Sequence, residues 1–417
     1  MLLWAYARQK LSPVLDLRPD TDFFVLLKWQ FIFHAIQLKT NRRWLRALFL
    51  LYQLLFPAQT VIWLYRTWAE AFIEHNTTLA VSLLCGQFTL FSIVLRYALL
   101  LRNHGQLTPV QDYINSQRFL GRHRKAQELR QRALRTNNIL ILVLMVYGLS
   151  NFCIYEASNL QWHEIFRMPQ YLVKSNWPLA MTLQIIMHPM TYVGLGAFIS
   201  SFVSVHTMLT CLHAELLLVE YAFQGLLERV ERHVEQTPME ADERRQFFWW
   251  TFNRELGICV KEHCEVLRHI RKVNRVNSFS ITVQYYTALL ALAIDTFFIS
   301  YYGLNFVSFC VLIFSILLVF EWYYCCKLVE NLKASNERIG WTLYNDKWPA
   351  WLKYGMRQSA CLRQFRMTLS IVLLVSQRSL PFRGSDIVEV SWQTFGTLLK
   401  TSYSIMMFLI ELRKLNR

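Results

Sequence analysis

The sequence predicts an all-α membrane protein: seven transmembrane helices with an inside N-terminus and an outside C-terminus, plus a cytoplasmic helical anchor bundle. Three observations carry this. Of 417 residues, 54% are hydrophobic and only 17% charged, where an ordinary globular domain carries about 25% charge. Apolar stretches of membrane-spanning length recur along the chain. The 44 Lys and Arg residues fall unevenly between alternate loops. The same composition excludes disorder, which needs high charge and few large apolar residues. With 13 Gly and 9 Cys it also excludes collagenous and disulfide-stapled classes.

A helix rises about 1.5 Å per residue through about 30 Å of hydrocarbon, so a span needs roughly 20 apolar residues. The stretches 44–65, 78–101, 138–157, 178–212, 280–301 and 305–325 meet that test, and 392–412 does so less cleanly. The fourth is too long for a perpendicular span, so it tilts or runs on into water. Residues 367–375 are too few to cross and read as a buried or re-entrant helix. Residues 1–10 lack the apolar core of a cleavable signal peptide.

Loop charge orients the spans. Segments 1–43, 102–136, 213–277 and 327–390 hold seven, eight, ten and ten Lys and Arg. The alternate loops and the tail hold six, including Arg413, Lys414 and Arg417. An excess of 35 to six puts the N-terminus in the cytoplasm. The +16 formal charge is therefore a topology signal, and no nucleic-acid partner is expected. The sequon Asn76-Thr77-Thr78 falls in the first outer loop, which makes Asn76 a glycosylation candidate.

The organisation follows as a cytoplasmic N-terminal segment, 1–43; spans one to six with cytoplasmic helical extensions, 44–326; a cytoplasmic anchor and re-entrant helix, 327–390; and the closing helix with a short outer tail, 391–417. Within the extensions, 114–135 and 216–236 space their apolar residues at three and four. In 247–276, Leu256, Val260, Cys264, Leu267, Ile270 and Val273 form one stripe. The segment Thr237-Pro238-Met239-Glu240 breaks two of these helices.

Familiar catalytic motifs are missing: GxxxxGK[ST], GxGxxG, HExxH and GxSxG do not occur. No enzyme activity, cofactor or metal is expected. Cys259, His263 and Cys264 lie close in sequence, but adjacent positions diverge on a helix, so they read as packing residues. Arg96, near the inner end of span two, is placed to snorkel. Asp295 is placed near outer water, and Glu321 near a basic residue of the bundle. His188, beside Pro189 within span four, lines a pocket or bonds a neighbouring helix.

On a helix of 3.6 residues per turn, Thr397, Thr401, Ser404, Phe408 and Glu411 share one line of the closing span, with Lys400 beside it. Leu399, Met406, Leu409 and Ile410 lie opposite. Hydroxyls that wet a lumen, a bulky ring that closes it and an acidic mouth make one wall of a cation pore. A stripe of this kind also packs helices together. One helix cannot enclose a pore, so the first reading needs several subunits.

The outer halves of the spans hold mixed apolar and small polar residues, as a site for lipophilic ligands would. Candidates are Ser82 and Gly86 in span two, and Tyr147, Asn151 and Tyr155 in span three. Met181, Gln184, His188 and Tyr192 follow in span four, and Phe297 and Tyr302 at the end of span five. An interfacial aromatic belt would hold similar residues.

The last hundred residues resemble the insect odorant receptors. In 321–348, Cys325 or Cys326, Ser335, Tyr344 and Trp348 match the family's Cys, Ser, Tyr and Trp. Residues 363–384 are similar to its basic-apolar helix running into a Pro, and 394–412 to its closing Phe, Ser-Tyr-Ser and apolar run. The family's Gly shortly after the Cys is missing. Ser402-Tyr403 followed by Leu409-Ile410 favours this branch over the related gustatory receptors. The resemblance implies an odorant-gated, non-selective cation channel in the plasma membrane of olfactory sensory neurons, formed as a heterotetramer with an odorant coreceptor. It implies that the final helix lines the pore, with Phe408 and Leu412 at the gate and Glu411 at the mouth. Small volatile odorants would bind in the outer half of spans two to six.

A gustatory-type chemoreceptor channel is the nearest alternative. A G-protein-coupled receptor would reverse the charge asymmetry, and neither Asp-Arg-Tyr nor Asn-Pro-x-x-Tyr occurs where it should. An intramembrane enzyme or transporter would need clustered carboxylates or inverted repeats, which the spans lack.

Overall fold

The computed structural model describes residues 15–18, 21–38, 40–75, 77–121, 123–157, 166–188, 190–303, 306–345, 359–378, 380 and 382–415. Asn76 lies outside them, as do the side chains of Ser82, Tyr155, Tyr302 and Leu412.

The helices in chain order are α1 (Val25–Phe33), α2 (Arg43–Phe72), α3 (Thr77–Asn103), α4 (Thr108–Ser116), α5 (Arg124–Ala157), α6 (Gln170–Ser175), α7 (Trp177–Met187), α8 (Met190–Gln224), α9 (Leu226–Glu235), α10 (Ala241–Tyr302), α11 (Phe306–Asn345), α12 (Ser359–Gln377) and α13 (Trp392–Leu415). A short antiparallel hairpin, β1 (Arg383–Gly384) with β2 (Val388–Glu389), pairs Arg383 with Glu389. Among the described residues the fold is all-α apart from this hairpin, which leads directly into α13. Among the described residues, five stretches are long and apolar enough to cross a membrane: Arg43–Phe72, Arg124–Ile154, Trp177–Gln224, Glu243–Ser300 and Phe306–Asn345. Helices α3 and α13 occupy the second and last expected spans.

Local chemistry sets the helix ends. The side chain of Asn176 accepts a hydrogen bond from Leu179 N at 3.1 Å, and Pro178 follows in the first turn of α7. Helix α9 opens with Glu228 and closes with Arg232 and His233, matching its dipole. The chain breaks between Glu235 and Ala241, around Pro238. At 62 residues, α10 runs about 93 Å, three times the hydrocarbon thickness. It therefore extends far beyond any bilayer, as the stripes of 216–276 require.

Two expectations are corrected. The helix foreseen across 114–135 is interrupted: Gln117 and Leu120 adopt left-handed φ of 43° and 50°. Arg130 Nη2 donates to Phe119 O at 2.9 Å and its Nη1 to Gln117 O at 3.4 Å, capping the freed carbonyls. Its charge is held by Glu215, with both bonds at 2.7 Å. On α10, the buried seam runs through Leu256, Cys259, His263, Val266, Ile270 and Val273, and Cys264 is exposed. The seven-residue step from 256 to 263 to 270 puts position 264 one step round the helix from the seam.

One continuous core links the helices. At the α10 start, Trp249 and Phe252 meet Phe365 of α12 at 5.6 and 5.3 Å between ring centres. Residues 367–375 thus belong to a longer helix, α12, which lies against α10 and α11 with Phe365, Leu369 and Val372 buried. Helix α1 also enters the core, through Leu27 and Phe31.

Candidate functional site

The outer candidates separate into three groups. In the first, α5 carries Tyr147, Asn151, Phe152 and Glu156, and the α7–α8 junction carries His188 and Tyr192 opposite them. The i, i+4 spacing keeps each set on one face. Asn151 Nδ2 donates to Tyr147 O at 2.8 Å, and Tyr147 Oη donates to Ile313 O of α11 at 3.4 Å. His188 Nε2 lies 2.7 Å from Glu156 Oε1. Phe152 stands between His188 and Tyr192, with ring centres 6.5 and 5.9 Å away. Sequence reasoning missed Glu156 and Phe152; an acid at the end of an apolar helix was the available signal.

In the second group, Met181 and Gln184 line an open cleft of about 340 Å³ with Arg167, Lys174 and Trp177. Gln184 Oε1 accepts from Met168 N at 3.1 Å and its Nε2 donates to Phe166 O at 3.3 Å. It therefore anchors the chain that precedes α6. The third group is a packing contact. A Cβ on Gly86 would stand 2.9 Å from Trp63 Cζ2, and Trp63 Nε1 donates to Leu83 O at 3.1 Å. Phe297 is half-buried on α10.

The closing helix divides into two faces. Leu398 and Ser402 are buried, and Ser402 Oγ donates to Leu289 O of α10 at 3.1 Å. Tyr323 of α11 meets Trp392 and Phe395 at 5.3 and 6.2 Å between ring centres. Thr397, Lys400, Ser404, Phe408 and Glu411 are all exposed, Phe408 at 58%, with Thr401 half-buried at the flank. The polar stripe therefore points away from the rest of the chain. Leu399, expected opposite it, is exposed as well. Two hydroxyls of the stripe bond back to their own helix: Thr397 Oγ1 to Gln393 O and Ser404 Oγ to Lys400 O, each at 3.0 Å. Their remaining lone pairs face outward.

A model of the family described as 7tm Odorant receptor matches residues 71–403. The chain belongs to that family. Its membership places this odorant receptor among receptors and not in an enzyme class. The fold agrees: the insect olfactory receptor OR5 from Machilis hrabei superposes with a TM-score of 0.69 at 12% identity, over 94% of this chain and 100% of that one. The same receptor in complex with eugenol gives the same values. No curated protein matches the chain.

Three charged positions of the receptor differ from expectation. Arg96 does not snorkel; its side chain is 1% exposed and pairs with Glu321, itself 4% exposed. Glu321 thus takes its cation from span two and not from the basic bundle. Asp295 is not open to water: it is buried and accepts a bond from Ser315 Oγ at 2.9 Å. Burial of an ionic group at such depth demands a partner, and each partner lies on a different helix.

Proposed function

We propose that the chain is the ligand-binding subunit of an odorant-gated, non-selective cation channel, assembled as a heterotetramer with the odorant coreceptor in the plasma membrane of olfactory sensory neurons. The N-terminus faces the cytoplasm, seven helices cross the bilayer, and the basic extensions form the anchor that joins subunits. The supporting observation is the closing helix. Ser402 bonds α10 and Trp392 and Phe395 meet α11, while Thr397, Ser404, Phe408 and Glu411 are exposed beside Leu399, Tyr403 and Met407, on the face that an axis shared with other subunits would make a lumen. Phe408 and Leu412 close the pore by dewetting, and Glu411 favours cations at the mouth.

Odorants bind in the outer half, among Tyr147, Asn151, His188 and Tyr192, and the sequence candidates Ser82, Tyr155, Phe297 and Tyr302 are further positions to test. Apolar burial at about 25 cal/mol per Å² supplies affinity. Opening requires the odorant to bind the open state better than the closed one, because equal affinity shifts nothing. Eugenol, which the Machilis hrabei receptor binds, is a first probe. Expression in heterologous cells with and without the coreceptor, against an odorant panel, tests the reading. Currents that need the coreceptor and an odorant are expected; currents that ignore the coreceptor contradict it.

A further inference from the structure

We infer that the N-terminal turn after α1 sets the odorant site from below: His34 is a positioning residue for Tyr192, and odorant selectivity depends on it. The inference rests on the reading that Tyr192 belongs to the odorant site. The turn is held rigidly. Ala35 has a left-handed φ of 57°, which residues with a side chain rarely adopt. Tyr97 Oη of α3 donates to Ala35 O at 2.6 Å, and Gln53 Nε2 of α2 donates to the same oxygen at 2.9 Å. Tyr52 Oη donates to Phe33 O at 2.6 Å, and Ile36 N donates to Phe31 O at 2.8 Å. Two long helices thus fix both sides of His34.

The ring itself is 5% exposed and fits against α8. A Cβ on Gly196 would fall inside the His34 ring, so only Gly admits it there. Ser200 Oγ lies 3.3 Å from His34 Nδ1, one helical turn further on. The ring centre lies 5.4 Å from that of Tyr192, one turn earlier. Tyr192 meets Phe152, and Phe152 meets His188. A ring-to-ring chain therefore runs from the clamped turn to the residues that face the odorant. Interiors are close-packed, so displacing its first member moves the next.

The test uses the full chain with the coreceptor, read as the ratio of half-activating concentrations for eugenol and for a linear aliphatic ketone. Cell-surface amounts are measured alongside. His34→Leu keeps bulk and loses the ring; it is expected to shift the ratio by about ten-fold. Gly196→Ala, which evicts the ring, is expected to shift it in the same direction. The double variant Gly196→Ala with His34→Ala is expected to match His34→Ala alone, because the added methyl then meets no ring. An unchanged ratio in His34→Leu, with only smaller currents, overturns the inference, as do additive effects in the double variant. Tyr192→Ala separates the two readings. If it shifts the ratio while His34→Leu does not, the inference alone fails; if it leaves the ratio unchanged, the placement of the odorant site fails too.

Discussion

Arg96 and Glu321 face each other across the bundle, 225 residues apart, with Arg96 Nη1 donating to both carboxylate oxygens at 3.1 and 2.9 Å. Arg96 Nη2 donates to Gln284 O at 3.3 Å and Thr287 Oγ1 at 3.1 Å, and the guanidinium lies 4.3 Å from the Phe198 ring centre. Four helices, α3, α8, α10 and α11, therefore meet at one charge pair. Removing one partner of a buried pair costs about 3–5 kcal/mol, whereas replacing both by apolar residues is often close to neutral. Arg96→Met or Glu321→Gln should thus reduce folded receptor at the cell surface severely, and Arg96→Met with Glu321→Met should recover much of it. Single variants with wild-type surface levels would remove the pair from the account.

The basic half of the bundle should lose stability in acid. His263 Nε2 lies 2.8 Å from Asn336 Oδ1, and Asn336 Nδ2 donates to Ser376 O at 3.0 Å, which joins α10, α11 and α12. Burial pushes His263 below the ordinary 6.5, and Arg271 adds to this, against the bond with Asn336. Below about pH 6.5 the unfolded histidine takes up a proton that the folded one refuses, so stability is complete above that pH and declines beneath it. The melting temperature of detergent-solubilised receptor should fall between pH 7.5 and pH 5.5, and His263→Gln should flatten the slope. An equal slope in the variant would assign the acid sensitivity elsewhere.

At Gly340, α11 packs tightly against α12. A Cβ there would overlap Ser376 Oγ and stand 3.1 Å from Ser376 Cβ. Overpacking of this kind costs about 1–3 kcal/mol. Gly340→Ala should lower the melting temperature, and adding Ser376→Gly should restore part of it. Additive losses in the double variant would show that the two positions do not compete for space.

Glu411 is exposed near the C-terminal end of α13. Glu411→Gln should alter cation permeation, read as reversal potential in mixed cations, with little change in odorant ranking. A changed ranking with unchanged permeation would contradict its place at the pore mouth.

Much of this architecture is legible in the sequence because its signals are local. Apolar runs, loop charge and the 3.6 spacing of Thr397, Ser404 and Phe408 each depend on neighbours along the chain. What escapes is long-range. The burial of Arg96 depends on Glu321, and the break at Gln117 depends on Arg130 capping carbonyls, with Gly121 the one local hint. His34 carries no sequence mark, since its fit depends on the missing side chain of Gly196 on another helix. Met181 and Gln184 share a cleft, but Gly86 proves to be a seat for Trp63, because residue type alone does not distinguish a pocket wall from a packing contact.

The proposed pore requires the outward face of α13 to meet water inside an assembly. A cysteine introduced by Ser404→Cys, in receptor co-expressed with the coreceptor, tests this through block by a charged thiol reagent. Odorant-evoked current should be lost on reagent exposure, faster when odorant is present, while wild-type receptor is unaffected. Full current with unmodified cysteine after prolonged exposure would place that face in lipid and contradict the pore.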